Sequence, residues 1–406
     1  MHHTSLRGAR RLGTIPTRIF WVTPDRFDRK LDKSSWLEMA RCLQDLGWEV
    51  TIVAARKDAN APDYGGLVKF VPAIDLSFVF RISALLSIRK LLKQELRAGD
   101  VVLLNQDALW LVPGLRRIDD IFIHFDVRTL PVNVHGLKRR LGRALFWSLP
   151  IRFFAERADG YSFITTRLCK EVESEFNLRF GENVIWGSGV NLSLFNKKPS
   201  STGTSSSRFR LLYHGSISHT RGIGSVIEAL SLGGRLPIEM EFRVVGDGID
   251  RAELEEKARH LGMQDCIIFK GYMPYEAVVD EILDADVCIC PLPDRLEWNV
   301  SSPLKVFEYM ACGKPLILTP IDAHREVVGD APFVVWTRGY APQDFRRAIF
   351  DAFTRLDELR RHSEKGYDIV RDKFEWKTHA VKLASYLSTA TGSRAPEPGA
   401  LLDRLQ

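Results

Sequence analysis

Lys305 and Glu308 lie three residues apart, directly after Ser301-Ser302-Pro303-Leu304. Ser302 is a good helix N-cap, and proline at the first helical position loses no N–H the helix needs. The free backbone N–H groups of such a first turn point outward, and the helix dipole adds partial positive charge, so the turn is an anion seat. Lys305 adds a full charge there. Glu308 falls on a neighbouring part of the same face and offers a carboxylate able to hold two adjacent sugar hydroxyls. One helix end would then bind both a phosphate and a sugar. The residues alone also permit an ordinary capped helix with a surface Lys–Glu pair.

A second candidate is Tyr213-His214-Gly215-Ser216-Ile217-Ser218-His219-Thr220-Arg221. A strand ends at His214-Gly215, and Arg221 sits at the mouth of the next helix, suited to bidentate phosphate contact. Gly246 and Gly248 in VVGDG mark a tight turn after a strand, where glycine permits close backbone approach. The fragment lacks the third glycine of a dinucleotide fingerprint, which argues against NAD. Asp284-Ala285-Asp286 has the DxD form of metal-dependent sugar transferases. Its place at a helix-to-strand boundary favours a structural role, and no metal site is expected. In the first half, His124, Asp126 and Arg128 share one face of an extended strand and are the catalytic candidates, a carboxylate beside an arginine being able to orient an acceptor hydroxyl. Arg26, Arg29 and Lys30 follow the first strand. Residues 136–157 hold six Lys or Arg against one Glu, together with Leu137, Leu141, Leu145, Phe146 and Trp147. Basic and apolar residues on a helix read as a membrane-surface segment. The competing reading places Leu141, Leu145 and Phe146 in the core, with Pro150 limiting the helix.

The elements that must position these groups follow from the rest of the chain. Its 406 residues suggest two or three domains. Hydrophobic residues make up 45% and charged residues 27%, which excludes a disordered or fibrous chain. Lys plus Arg exceed Asp plus Glu by 57 to 51, too small an excess to indicate nucleic acid. No apolar run reaches the roughly 18 residues of a membrane span. The basic start lacks an apolar signal core, and the six scattered cysteines read as reduced thiols. These features lead to an expected cytoplasmic location, peripheral at the inner face of the membrane.

Apolar runs at 18–22, 101–105, 121–125 and 160–165 alternate with helical segments near 84–97, 137–158 and 167–176. The second half repeats the alternation. This pattern predicts α/β architecture with two doubly wound, mostly parallel sheets. The expected organisation is an N-terminal acceptor domain over 1–196, a Ser/Thr-rich linker at 197–207 and a donor domain over 208–374. A closing helix at 375–390 returns to the first domain, and 391–406 form a tail. Such domains bind ligands beyond the carboxyl ends of their strands, in a cleft between them.

The ordered stretches YHGSISHTRGIGSVIEAL, FRVVGDG, IIFKGYMPYEAVVDEILDADVCICPLP and SPLKVFEYMACGKPLI resemble the nucleotide-sugar domain of GT-B fold glycosyltransferases of family 4, the group 1 transferases. Residues 158–195 resemble the end of the family's acceptor domain, and 373–387 its closing helix. The resemblance implies a retaining transfer of sugar from a nucleoside diphosphate sugar to a hydroxyl acceptor, without metal or other cofactor. It implies that Gly215, Ser216, Arg221, Gly246, Ser301, Ser302, Leu304, Lys305 and Glu308 bind the donor. Arg221 would hold the diphosphate, residues 302–305 would form the phosphate loop, and Glu308, the second Glu of an E-x7-E pattern, would hold the ribose. Three departures stand out. Val300 occupies the first Glu position, Ser216 stands where an arginine is usual, and the donor loop after the first strand has no glycine. Lys305 is available to supply the charge missing at Ser216. The expected pathway is cell-surface polysaccharide or glycolipid synthesis, with a lipid-linked or glycan acceptor and no nucleic-acid partner. The alternatives are a nucleotide-sugar epimerase on the same fold, or a binding subunit without turnover.

Overall fold

The computed structural model describes residues 18–27, 33–56, 64–76, 79–132, 136–195, 208–232 and 239–392. Arg29, Lys30 and the 197–207 stretch lie outside them. The chain forms two compact units, one made of 1–187 with 379–406 and the other of 188–378. The chain thus leaves the first unit at Gly187, earlier than residue 196. The helix Trp376–Thr391 starts in the second unit and continues into the first.

The first unit carries seven strands: β1 (Arg18–Arg26), β2 (Glu49–Arg56), β3 (Val68–Pro72), β4 (Val101–Leu104), β5 (Phe122–Val127), β6 (Gly160–Phe163) and β7 (Asn183–Ile185). They pair in parallel in the order β3-β2-β1-β4-β5-β6-β7. The second unit carries β8 (Phe209–His214), β9 (Met240–Val245), β10 (Ile267–Gly271), β11 (Val287–Cys290), β12 (Leu316–Leu318) and β13 (Val334–Trp336), in the order β10-β9-β8-β11-β12-β13. Every residue of β4, β5 and β11 is buried, as central parallel strands covered on both faces require. The continuous apolar runs VVLL and VCIC satisfy that demand. Each sheet reverses its direction of winding once, between β1 and β4 and between β8 and β11. Such switch points open crevices beyond the strand ends.

The basic 136–157 segment is one run of helical turns rather than a helix broken at Pro150. Leu137–Arg143 passes through a wider π-turn at Ala144–Ser148 into Leu149–Phe154, where the Leu149 N–H bonds to the Ala144 carbonyl. The wider turn accommodates a proline that has no N–H to donate. Phe146 is buried, as the core reading requires, and so is Trp147, whereas Leu141, which that reading also placed in the core, is 48% exposed and Leu137 is 76% exposed.

Candidate active site

The second unit's switch point gathers the chemistry. Tyr213 and His214 end β8, and the loop continues through Gly215 to a short 3-10 turn at His219–Arg221. The indole Nε1 of Trp298 donates to the Thr220 carbonyl at 2.9 Å. The Arg221 guanidinium lies 4.6 Å from the centre of the Trp298 ring, so its plane is held by cation–π contact. Gly222, at φ +76°, ends this turn with its α-carbon against the Pro291 carbonyl that follows β11. The loop's position is thereby tied to the neighbouring strand.

The helix Leu304–Ala311 begins one residue later than the sequence suggests. Ser302 does not cap it. The Ser302 hydroxyl instead accepts from the Ser188 N–H at 2.9 Å, and the Ser188 hydroxyl donates back to the Ser302 carbonyl at 3.2 Å. Pro303 takes the cap position without a side-chain bond. Ser301 closes onto the Trp298 carbonyl at 2.7 Å. The N–H groups of Leu304 and Lys305 thus open the helix with no hydroxyl cap over them.

Lys305 is only 8% exposed. Its ammonium sits 5.1 Å from the Tyr213 ring centre and close to Gly215. It forms no hydrogen bond with any described residue. Burial pushes its pKa below lysine's ordinary value; Cys290 and Glu308 pull it back up, while Arg221 depresses it further. Two cations close enough to repel each other, neither hydrogen-bonded to a described acceptor, fit a dianionic ligand better than any internal partner.

Glu308, 1% exposed, lies behind them. Its Oε1 accepts from the Tyr275 hydroxyl. Its Oε2 is 2.8 Å from His214 Nε2, but without hydrogen-bond alignment, so that oxygen keeps lone pairs for another donor. The Tyr309 hydroxyl accepts from the His214 backbone N–H at 3.0 Å and fixes where β8 ends. His214, Tyr275, Tyr213 and Trp298 were not singled out by sequence. His214 stood inside a quoted stretch, but its partner is 94 residues away, and only the fold brings them together.

Gly246, at φ +125°, is pressed against the Gly215 carbonyl; a β-carbon there would stand 2.1 Å from that oxygen. Gly246→Ala should therefore destabilise the second unit by about 2–4 kcal/mol, from backbone strain plus a displaced loop. Denaturant unfolding reads this, and an unchanged midpoint would contradict the packing. Ser216 contributes its carbonyl, which accepts from the Tyr213 hydroxyl at 2.8 Å.

Val300 is 1% exposed, so the site holds one buried carboxylate where a second was usual. The DxD pair is structural. Asp284 pairs with Arg210 and Arg243, while Asp286 pairs with Arg360 and accepts from the Arg210 N–H at 2.7 Å. Among the described residues, the group with metal-ligand geometry is His219, Asp250 and Glu253. It is largely exposed, and its members already bond one another: His219 Nε2 with Glu253 at 2.9 Å, and the His219 N–H with Asp250 at 2.8 Å.

In the first unit His124 and Asp126 are both fully buried and meet other side chains of the interior. The Ser162 hydroxyl on β6 donates to Asp126 Oδ1 at 2.5 Å and stands 2.8 Å from His124 Nε2. A hydroxyl has one proton to give, so Nε2–H must donate to Ser162. Burial lowers the His124 pKa to about 3 and keeps the ring neutral. The face these residues share is an interior one, where the Tyr386 ring packs on His124 at 5.7 Å. Arg128 stacks 3.4 Å from the Trp186 ring centre and donates to the carbonyls of Trp186 and Gly187 at 2.6 and 3.2 Å. It anchors the backbone where the chain leaves this unit.

Residues 208–355 match the family model of glycosyl transferases group 1, and residues 34–194 match that of glycosyltransferase family 4. The alpha-monoglucosyldiacylglycerol synthase of Streptococcus pneumoniae is 23% identical over 250 residues, 59% of this chain and 55% of its own. The curated relatives matched are spanned for 27% to 55% of their lengths. Sucrose-phosphate synthase from Thermosynechococcus elongatus superposes with a TM-score of 0.75 at 16% identity, over 93% of this chain and 99% of that one. Anabaena Alr3699/HepE, solved in complex with UDP and glucose, gives 0.69 at 14% identity, over 92% and 100%. The folds are therefore shared, and they are of the GT-B type.

Proposed function

We propose that this chain, which belongs to the family 4 glycosyltransferases of group 1, moves a sugar from a nucleoside diphosphate sugar to an acceptor hydroxyl with retention of configuration. The observation that carries this reading is the meeting of Arg221, Lys305 and Glu308 at the β8/β11 switch point. As the glycosidic bond breaks, charge grows on the leaving diphosphate. Two preformed cations and an uncapped helix end stabilise that charge without reorganising. Glu308 Oε2 accepts from the ribose hydroxyls. A thermal-shift series with UDP, GDP and their sugars tests the reading. One nucleotide family should raise the melting temperature, as RT ln(1 + [L]/Kd) requires; no shift with any of them would remove the donor site.

The transfer needs no divalent metal on this reading, because the two cations do the work of one and both DxD carboxylates are held by arginines. Activity in EDTA should equal activity without it. Inactivation reversed by Mg²⁺ or Mn²⁺ would overturn this expectation and point to His219, Asp250 and Glu253. A second reading, donor binding without turnover, draws on the buried Val300; bound nucleotide sugar that no acceptor ever consumes would favour it.

The acceptor reading rests on residues 136–157. Lys138, Arg139 and Arg140 are exposed beside Leu137 and Leu141. The segment would hold the protein at an anionic membrane, at about 1 kcal/mol for each basic residue near the surface. The streptococcal relative, a diacylglycerol glycolipid synthase by name, supports a lipid-linked acceptor in glycolipid or surface-polysaccharide synthesis. No described helix is long and apolar enough to cross a membrane.

A further inference from the structure

The turn before the helix Leu304–Ala311 is held away from the conformation its own sequence prefers. Ser302-Pro303 is a favourable helix start, with serine as cap and proline at the first helical position. Yet Pro303, at φ −79° and ψ 85°, stays outside the helix. The residue that holds it there is Ser188, which is 6% exposed. The Ser188 N–H donates to the Ser302 hydroxyl at 2.9 Å, and the Ser188 hydroxyl donates to the Ser302 carbonyl at 3.2 Å. The first bond occupies the oxygen that would cap the helix. The second fixes the direction of the Ser302 carbonyl, and with it the peptide plane that precedes Pro303.

Ser188 is itself placed rigidly. Its neighbour Gly189 has no room for a β-carbon, which would stand 2.8 Å from the Trp376 ring and 2.9 Å from the Trp376 backbone nitrogen. The Val190 N–H donates to the Phe374 carbonyl at 2.9 Å. With its own position set by these contacts, Ser188 dictates that of the turn.

Freed from this clamp, Ser302 would become the cap and Pro303 the first helical residue, and the Ser302 hydroxyl would accept from the N–H of Leu304 or Lys305. Those N–H groups belong to the same turn as the Lys305 ammonium, which is 8% exposed and hydrogen-bonded to no described residue. A capped turn and a phosphate-bound turn exclude each other, because both need the same donors.

We propose that Ser188 is a positioning residue for the donor diphosphate: it keeps the Ser302 hydroxyl off the helix end, so that the first N–H groups and Lys305 stay open to phosphate oxygens. The proposal rests on the nucleoside diphosphate sugar reading and deepens it, since it names what holds the phosphate turn in its binding form.

Ser188→Ala removes the bond to the Ser302 carbonyl and lets the capped turn compete. The apparent Kd for UDP or GDP, whichever the protein prefers, should rise as the open fraction falls, by about two- to thirtyfold for a cap of ordinary strength. Uridine or guanosine, which carries no phosphate, should bind as before, whereas a Ser188 that only supported the fold would weaken both ligands together. Ser188→Ala with Ser302→Ala has no hydroxyl left to form the cap and should bind the diphosphate more tightly than Ser188→Ala alone. A double variant as weak as the single one, or an equal loss for nucleoside and diphosphate, would overturn the proposal. Hydrogen exchange in the ligand-free protein reads the same turn without a nucleotide. The Leu304 and Lys305 amides should exchange more slowly in Ser188→Ala than in the unaltered protein, and the double variant should lose that protection; unchanged exchange in Ser188→Ala would remove Ser188 from its role. Slower exchange in a protein that binds neither UDP nor GDP would sink the donor reading while Ser188 keeps its hold on the turn.

Discussion

Glu308→Gln is expected to weaken donor binding by about 10- to 150-fold, the worth of one hydrogen bond to a charged group at roughly 1.5–3 kcal/mol, while the protein stays folded. The amide keeps the shape of the carboxylate and still offers a carbonyl oxygen to the Tyr275 hydroxyl. It replaces the second oxygen, the one near His214, with a donor that repels a ribose O–H. Glu308→Ala is the less informative change, because it strands Tyr275 and His214 in a buried place and costs stability as well. Calorimetric titration with the nucleotide selected by thermal shift measures the effect. An unchanged Kd in a folded Gln variant would remove Glu308 from the site.

Lys305→Met should produce two opposite effects. Donor affinity should fall by a similar 10- to 150-fold, because the buried ammonium is the charge nearest the helix end. The ligand-free protein should become more stable, because methionine fills the same slot without an ammonium that burial and Arg221 disfavour. A surface lysine would show neither effect, so a variant with wild-type affinity and wild-type melting would refute the assignment. The pH dependence has a definite sign. The native pKa of Lys305 is depressed, so below lysine's ordinary value the unfolded chain binds more protons than the folded one. Stability of the ligand-free protein therefore rises with pH between the depressed value and the ordinary one. Diphosphate binding runs the other way: it needs the charged form and is lost as pH climbs through the pKa of Lys305, earlier than an unperturbed lysine would lose it. Glu308→Gln removes a partner that raises this pKa and should bring that loss to lower pH still.

The donor side was legible in the sequence because its parts are local. Lys305 and Glu308 share one helix, and Arg221 follows its strand by seven residues. The second-layer partners were not legible. Tyr275 reaches Glu308 across 33 residues and His214 across 94, contacts that only sheet order creates. The helix start was misplaced because Ser302 spends its hydroxyl on Ser188, a partner 114 residues away. Strand alternation correctly put His124 and Asp126 on one face, yet alternation cannot say whether that face is covered. The helix Trp376–Thr391 covers it. Strand β4 was legible because a fully buried parallel strand leaves an unbroken apolar run, as the VVLL of β4 and the VCIC of β11 do. The three-residue strands β7 and β13 leave too short a trace.

The division of the first unit between 1–187 and 379–406 sets the order of events during synthesis. The Tyr386 hydroxyl accepts from the Tyr161 N–H at 3.2 Å and donates to the Glu182 carbonyl at 3.0 Å, at the β6/β7 side of the sheet. Those backbone groups emerge from the ribosome long before their partner does. At about 5–20 residues per second, the intervening 188–378 stretch delays it by roughly 10–40 s. During that interval the apolar face over His124 has no covering helix, while the second unit, continuous in sequence, can complete itself. The nascent chain therefore carries an unfinished sheet face until residues 379–391 follow, and the helix that ends the wait starts from the unit that folded meanwhile.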